Sequence, residues 1–149
     1  MIKILQIMRQ LAKLREDRTV ARLQDAAGQL HQAESFQEQI NSYVQEYGQQ
    51  MMNQAQQGTN VAYLQMSGAF REKLANGAAE QQMQVTGLTH AVNLAKQEVI
   101  KAQVRAKGIQ DFLDKKMSEK RAHEEKIRQA LLEDALTARF GKRVGTDDA

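Results

Sequence analysis

Residues 23–51, LQDAAGQLHQAESFQEQINSYVQEYGQQM, decide how the rest of the chain is read. Leu23, Ala26, Leu30, Ala33, Gln37, Ile40, Val44, Tyr47 and Met51 follow one another at steps of three and four in strict alternation. Side chains so spaced share one face of a helix and hold it against one partner, which is the spacing of a coiled-coil seam. A strand would need a period of two.

A second track lies beyond a cluster of turn residues, Gln56-Gln57-Gly58-Thr59-Asn60. It reads Leu74, Ala78, Gln81, Val85, Leu88, Val92, Ala95, Val99, Ala102, Ala106, Ile109 and Leu113. Two heptad tracks joined by a few turn residues form an antiparallel helical hairpin. Facing residues then have numbers adding to about 118 when Leu30 meets Leu88, Leu23 meets Ala95, Val44 meets Leu74 and Leu14 meets Val104. Gln37 meets Gln81 on the same rule, a polar pair able to fix register at some cost in stability.

Composition agrees with an all-α fold. The 149 residues include no Pro, Cys or Trp, only four Phe and three Tyr, and 26% are charged. Sandwiches and barrels need more β-branched and aromatic residues and more Gly/Pro turns. The absence of Cys excludes disulfides, Cys-ligated zinc and thiol catalysis. So few aromatics make a poor substrate pocket, and no P-loop, phosphate-binding turn or paired-His metal motif is present, so no enzyme and no cofactor is expected. Gln6 and Arg9 interrupt the apolar start, which argues against a signal peptide, and no run of about 18 apolar residues predicts a membrane span. A soluble cytoplasmic protein is expected.

The pattern predicts helices over residues 2–55 and 61–140 with a turn at 56–60, one domain over 1–140, and a disordered tail over 141–149 after a Gly141 cap. The first helix begins near Met1, whose partner is near residue 117, so the second overhangs as far as Phe140 by roughly 23 residues, or about 35 Å at 1.5 Å per residue. Ile127, Leu131, Leu132, Ala135, Leu136 and Phe140 give the overhang an apolar side, and without a partner such a segment frays. Upstream, Ile4, Ile7, Leu11 and Leu14 keep the three-four spacing, but its continuation meets Arg18 instead of Leu23, which predicts a phase slip across 15–22. Gly28, Gly48, Gly68, Gly77, Gly87 and Gly108 fall inside the helices and weaken them by roughly 1 kcal/mol each.

Charge is uneven. Residues 1–25 carry six bases and three acids, residues 26–95 two and five, and residues 96–143 thirteen and eight. The end holding both termini is therefore basic. That charge is either laced into pairs such as Asp111–Lys115 and Glu124–Arg128 or offered to an acidic partner. Nucleic acid is disfavoured, because acids interleave throughout and stacking aromatics are missing from the basic half. Glu119 and His123 share a helix face at metal-ligand spacing, but two ligands do not make a site, so no metal is expected.

The aromatics form a second stripe beside the seam: Phe36, Ile40, Tyr43 and Tyr47, faced by Phe70 and Leu74. Tyr47 should meet Phe70, and Tyr43 should meet Leu74. A two-stranded seam needs only two apolar residues per heptad, so part of this surface is either a broad local core or a partner patch.

With these features the chain resembles the flagellar FliJ family, coiled-coil proteins of the type III export apparatus. The matching features are Leu11-Ala-Lys-Leu-Arg-Glu16, the Ala33-Glu34 helix, the Tyr43/Tyr47 pair, the short Gly-containing loop, the Phe70–Leu74 step and the long charged second helix. The resemblance implies a non-enzymatic stalk and adaptor within the hexameric export ATPase ring, in contact with the cytoplasmic ring of the export gate and escorting export chaperones. It implies a peripheral position at the cytoplasmic face of the inner membrane, without insertion, and a role in motility. Ile40, Tyr43, Tyr47, Phe70 and Leu74 match the family's gate-binding residue types. Phe36 stands at a patch position where relatives can carry Gln, while Gly77 and Gln81 stand where relatives can carry Ala and His. Leu131, Leu132, Leu136 and Phe140 are candidates for ATPase contact. The alternatives are the stalk of a virulence injectisome or a general coiled-coil chaperone or adaptor. A prefoldin-type chaperone would need strands between the helices, and residues 56–60 are too few for them.

Overall fold

A computed structural model of the chain describes residues 1–147, with side chains through residue 141. It is all-α: α1 runs over Ile2–Gln57 and α2 over Val61–Asp147, packed against each other as a helical hairpin. Gly58 ends α1 with φ of 82°, the left-handed conformation that glycine adopts without a Cβ penalty. Asn60 starts α2 as its N-cap: its Oδ1 accepts the Tyr63 backbone N–H at 2.7 Å. The turn is thus three residues, shorter than the five expected, because Gln56 and Gln57 continue the helix.

Gly141 does not end α2, which continues to Asp147. Glycine caps a helix only when it turns left-handed, and among the described residues Gly58 is the one glycine with positive φ. The part of the expected tail at Asp148 and Ala149 lies outside the described residues. Among the described residues, no helix is long and apolar enough to cross a membrane.

Contacts divide the chain into two compact units: a looped unit, Arg15–Ala102, and a terminal unit, Met1–Leu14 with Gln103–Ala149. In the looped unit, Ala33, Val92 and Val99 are buried, and Leu23, Ala26, Leu30, Ile40, Val44, Tyr47 and Met51 are half-buried along α1. The rule pairing residues at about 118 holds there: the Tyr47 and Phe70 rings meet edge-on, 4.9 Å apart and inclined at 66°. The two seam glutamines lie at one level but do not bond each other. Gln37 Nε2 donates to the Ala78 carbonyl at 3.3 Å, and Gln81 Nε2 to the Ala33 carbonyl at 3.1 Å. Each amide is therefore spent on the opposite helix's backbone and not on the opposite side chain.

In the terminal unit the buried residues among those described are Leu5, Ala12 and Leu113, the last only 1% exposed. Arg9 Nη1 donates to Gln110 Oε1 at 3.4 Å, fixing the pairing there. This overturns the expected phase slip. Ile2, Leu5, Arg9, Ala12, Glu16, Thr19 and Leu23 continue the three-four alternation unbroken, and Glu16 and Thr19 are half-buried. Ile4, Ile7, Leu11 and Leu14 are exposed, as is Val104, so Leu14 and Val104 do not form a seam pair. The more apolar stripe lost to the less apolar one because the long track beyond Leu23 sets the phase. Small Ala12 and Thr19 also let the helices approach closely.

Candidate functional site

α1 positions the expected patch by its 3.6-residue turn. Phe36 and Tyr43 stand beside the seam, and Ile40 belongs to both stripe and seam. Tyr43 is 63% exposed and Phe36 is exposed, whereas Ile40 and Leu74 are half-buried. These four line one open groove together with Glu38 and Glu46. Tyr43 and Leu74 thus line one groove. Tyr47 and Phe70 instead line a different groove with Tyr63, Met66, Ser67 and Lys73. The six candidates therefore form two neighbouring clusters, joined through the helix that carries both Tyr43 and Tyr47.

Both grooves are open, and the first is lined by a Phe, a Tyr and two aliphatic side chains together with two carboxylates. Aromatic and aliphatic side chains beside carboxylates suit a protein partner with apolar and basic groups. Gln81, at an edge position of the family patch, is buried and committed to the Ala33 carbonyl, so it cannot reach a partner. Tyr63 and Met66 were missed by sequence reasoning. They lie off the aromatic stripe of α1, and only their closeness to Tyr47 across the turn brings them in.

The second candidate surface is in the terminal unit. Residues 118–141 are exposed on every described side chain, including Leu131, Leu132, Leu136 and Phe140. The seam register itself becomes mixed there, passing through Lys120, His123, Ile127, Ala130 and Asp134. Leu131, Leu132, Leu136 and Phe140 occupy positions off that register. The exposed stripe of Ile4, Ile7, Leu11 and Leu14 belongs to the same unit, on the side of α1 turned away from its buried face. The signal for it was available: carrying the seam back from Leu23 without a slip leaves these four residues outside.

Charges in this unit pair locally. Lys116 meets Glu119 at 3.6 Å, Lys120 meets Glu124 at 4.0 Å, and Arg128 meets Glu125 at 3.3 Å. The expected Glu124–Arg128 pair is therefore replaced by two others, because the i, i+3 partner Glu125 reaches Arg128 first. Glu119, one half of the weak metal pair, is engaged by Lys116. Lys116 also sits 5.5 Å from the centre of the Phe112 ring, a cation–π contact.

One family's sequence model, described as "Flagellar FliJ protein", matches residues 2–145. No curated protein and no solved structure matches the chain.

Proposed function

Because the chain belongs to the flagellar FliJ family and is thereby a flagellar export-associated protein, we propose that it is a non-enzymatic stalk and adaptor of the export apparatus. It binds the hexameric export ATPase through its terminal unit and the cytoplasmic ring of the export gate through the aromatic flank of its looped unit. It also assists the cycling of export chaperones. ATP hydrolysis belongs to the partner, and this chain converts the partner's conformational changes into changed contact at the gate.

The observation that carries this reading is the uncovered apolar surface of the terminal unit. Leu131, Leu132, Leu136 and Phe140 on α2, and Ile4, Ile7, Leu11 and Leu14 on α1, are all exposed. Helices apolar on more than one face are stable when buried, and exposed apolar surface of this extent marks an interaction site. Residues 1–14 add Lys3, Arg9 and Lys13 and no acid, which favours an acidic socket and steers association. At the gate-facing flank the supporting feature is the groove of Phe36, Ile40, Tyr43 and Leu74.

The test is reconstitution of the full chain with the purified export ATPase and, separately, with the cytoplasmic ring of the gate. Saturable binding to both is expected, with ATPase association slowed by salt because the steering charges are screened. Failure to bind the ATPase would overturn the stalk reading. Failure to bind the gate alone would leave a stalk without the adaptor role.

A further inference from the structure

Gly28 on α1 and Gly87 on α2 occur in helical backbone, away from any turn. Neither has positive φ, and a Cβ built on either would meet no atom within 4 Å. Conformation does not require glycine at these positions, and neither does packing. Both are exposed, and the pairing rule of the looped unit sets Gly28 level with His90, three residues or about 4.5 Å along the axis from Gly87. The two helices are thus weakened within one helical turn of each other, where glycine leaves the backbone open to water and lowers helix propensity.

A separate observation falls on the same turn. Thr86 Oγ1 donates to the Gln82 carbonyl at 3.0 Å, and Thr89 Oγ1 donates to the Val85 carbonyl at 2.8 Å. Hydroxyls bonding back to the i−4 carbonyl compete with the helix's own amides and bend it. Two such bonds bracket Gly87. Across the seam this level is held by half-buried aliphatic residues, Leu30 and Leu88, and among the described residues no side-chain hydrogen bond joins the two helices there. The other paired level, Gly48 with Gly68, differs. The Tyr47–Phe70 ring contact clamps it, and Ser67, next to Gly68, is buried.

We propose that the Gly28–Gly87 level is a bending joint within Arg15–Ala102, placed between the polar Gln37–Gln81 layer and the end of that unit nearest Arg15. Bending there keeps the aliphatic seam in contact and distorts only solvated backbone on the outer surfaces. The aromatic flank at 36–47 can then reorient without unpacking.

The chain has no cysteine, so labelling sites can be added cleanly. Spin labels on Ala21→Cys and Ser42→Cys, both exposed, span the joint on one helix, with backbones about 31 Å apart if the helix is straight. In the full chain, electron–electron double resonance should give a broad distance distribution with a tail toward shorter values. Gly28→Ala with Gly87→Ala should narrow it, and amide exchange over 26–32 and 84–91 should slow roughly fivefold per glycine. Gly108→Ala, a glycine level with Gln10 and not with another glycine, should leave the distribution unchanged. Thr86→Val with Thr89→Val should narrow it partly. A distribution in the unmodified chain already as narrow as in the double alanine variant would overturn the joint. Equal narrowing by Gly108→Ala would also overturn it, by showing general stiffening of the helices.

Discussion

The looped and terminal units both expose apolar side chains, but in different relation to their own cores. In the looped unit the exposed aromatics grow out of the seam: Tyr47 touches Phe70 ring to ring, and Ile40 and Leu74 serve core and groove together. In the terminal unit the exposed residues stand apart from the buried ones. Leu5, Ala12 and Leu113 hold the pair of helices, while Ile4, Ile7, Leu11 and Leu14 face away, and the overhang's leucines are exposed among the described residues. A surface continuous with the core is pre-ordered by folding and hard to mutate cleanly. A surface separate from the core can be changed without touching the fold, and it can also be left uncovered until a partner arrives.

The largest effect should come from breaking that separate surface. Leu132→Asp with Leu136→Asp should weaken ATPase binding by on the order of 100-fold or more, since charges are then forced into an apolar contact. Thermal unfolding should change little, because both side chains are exposed among the described residues. Unaltered ATPase affinity would place docking elsewhere. The counterpart is Leu113→Ala, which empties the most buried side chain and should cost roughly 3 kcal/mol of stability. Leu11→Ala, in the same unit but exposed, should stay within about 0.5 kcal/mol by denaturant titration. Equal costs for the two would mean that the outward stripe is part of the core.

The contrast between the units also separates what the sequence made legible from what it did not. The seam from Leu23 to Met51 was readable because nine residues keep one spacing, and that register extended correctly to the Tyr47–Phe70 contact. Upstream the same logic failed. Hydrophobicity favoured Ile4, Ile7, Leu11 and Leu14, yet small and polar Ala12, Glu16 and Thr19 take the seam because helix phase is carried from the longer track. Side-chain direction was equally hidden at Gln37 and Gln81, since level alone does not say that each amide reaches backbone first. The helix end was missed for a related reason: Gly141 permits a cap but does not impose one. The candidate surfaces were legible as residue types. Their division into two grooves depends on which neighbours each ring meets across the helix pair, and a one-dimensional pattern does not carry that.

A finer effect is expected in the looped unit. Tyr43 is 63% exposed, so Tyr43→Ala should cost well under the roughly 3–5 kcal/mol of a buried aromatic. Gate affinity should nevertheless fall by roughly 2 kcal/mol if Tyr43 anchors the partner. Half-buried Val44 should behave in reverse, with Val44→Ala losing stability and little direct binding. Thermal unfolding and gate affinity measured on both variants separate the roles. Unfolding of the hairpin by Tyr43→Ala, with binding tracking only the folded fraction, would return Tyr43 to the core.

The smallest effect concerns polar residues within the seam, where the two units again differ. Arg9 reaches out of the terminal unit's seam to Gln110 at 3.4 Å in an exposed setting, so Arg9→Ala should change stability by no more than about 0.5 kcal/mol. In the looped unit the glutamine layer is enclosed. Gln81 is buried, and Gln37 Oε1 is buried without a hydrogen-bond partner. Gln37 gains two long bonds through Nε2, to Ala78 O at 3.3 Å and to Asn41 Oδ1 at 3.4 Å, against a full desolvation cost at Oε1. Gln37→Leu should therefore stabilise the hairpin by about 1 kcal/mol. Gln81→Leu gives up a better bond, 3.1 Å to Ala33 O, and should be near neutral. Stability is then being exchanged for register, since a seam made wholly apolar accepts slipped pairings more readily. Cysteines placed to crosslink α1 and α2 in the native pairing, and a second pair displaced by one heptad, read this directly. The double leucine variant should form the displaced crosslink and the unmodified layer should not. Exclusive native crosslinking in the double variant would show that the aliphatic spacing alone sets the register and that the glutamines are a cost without a structural return.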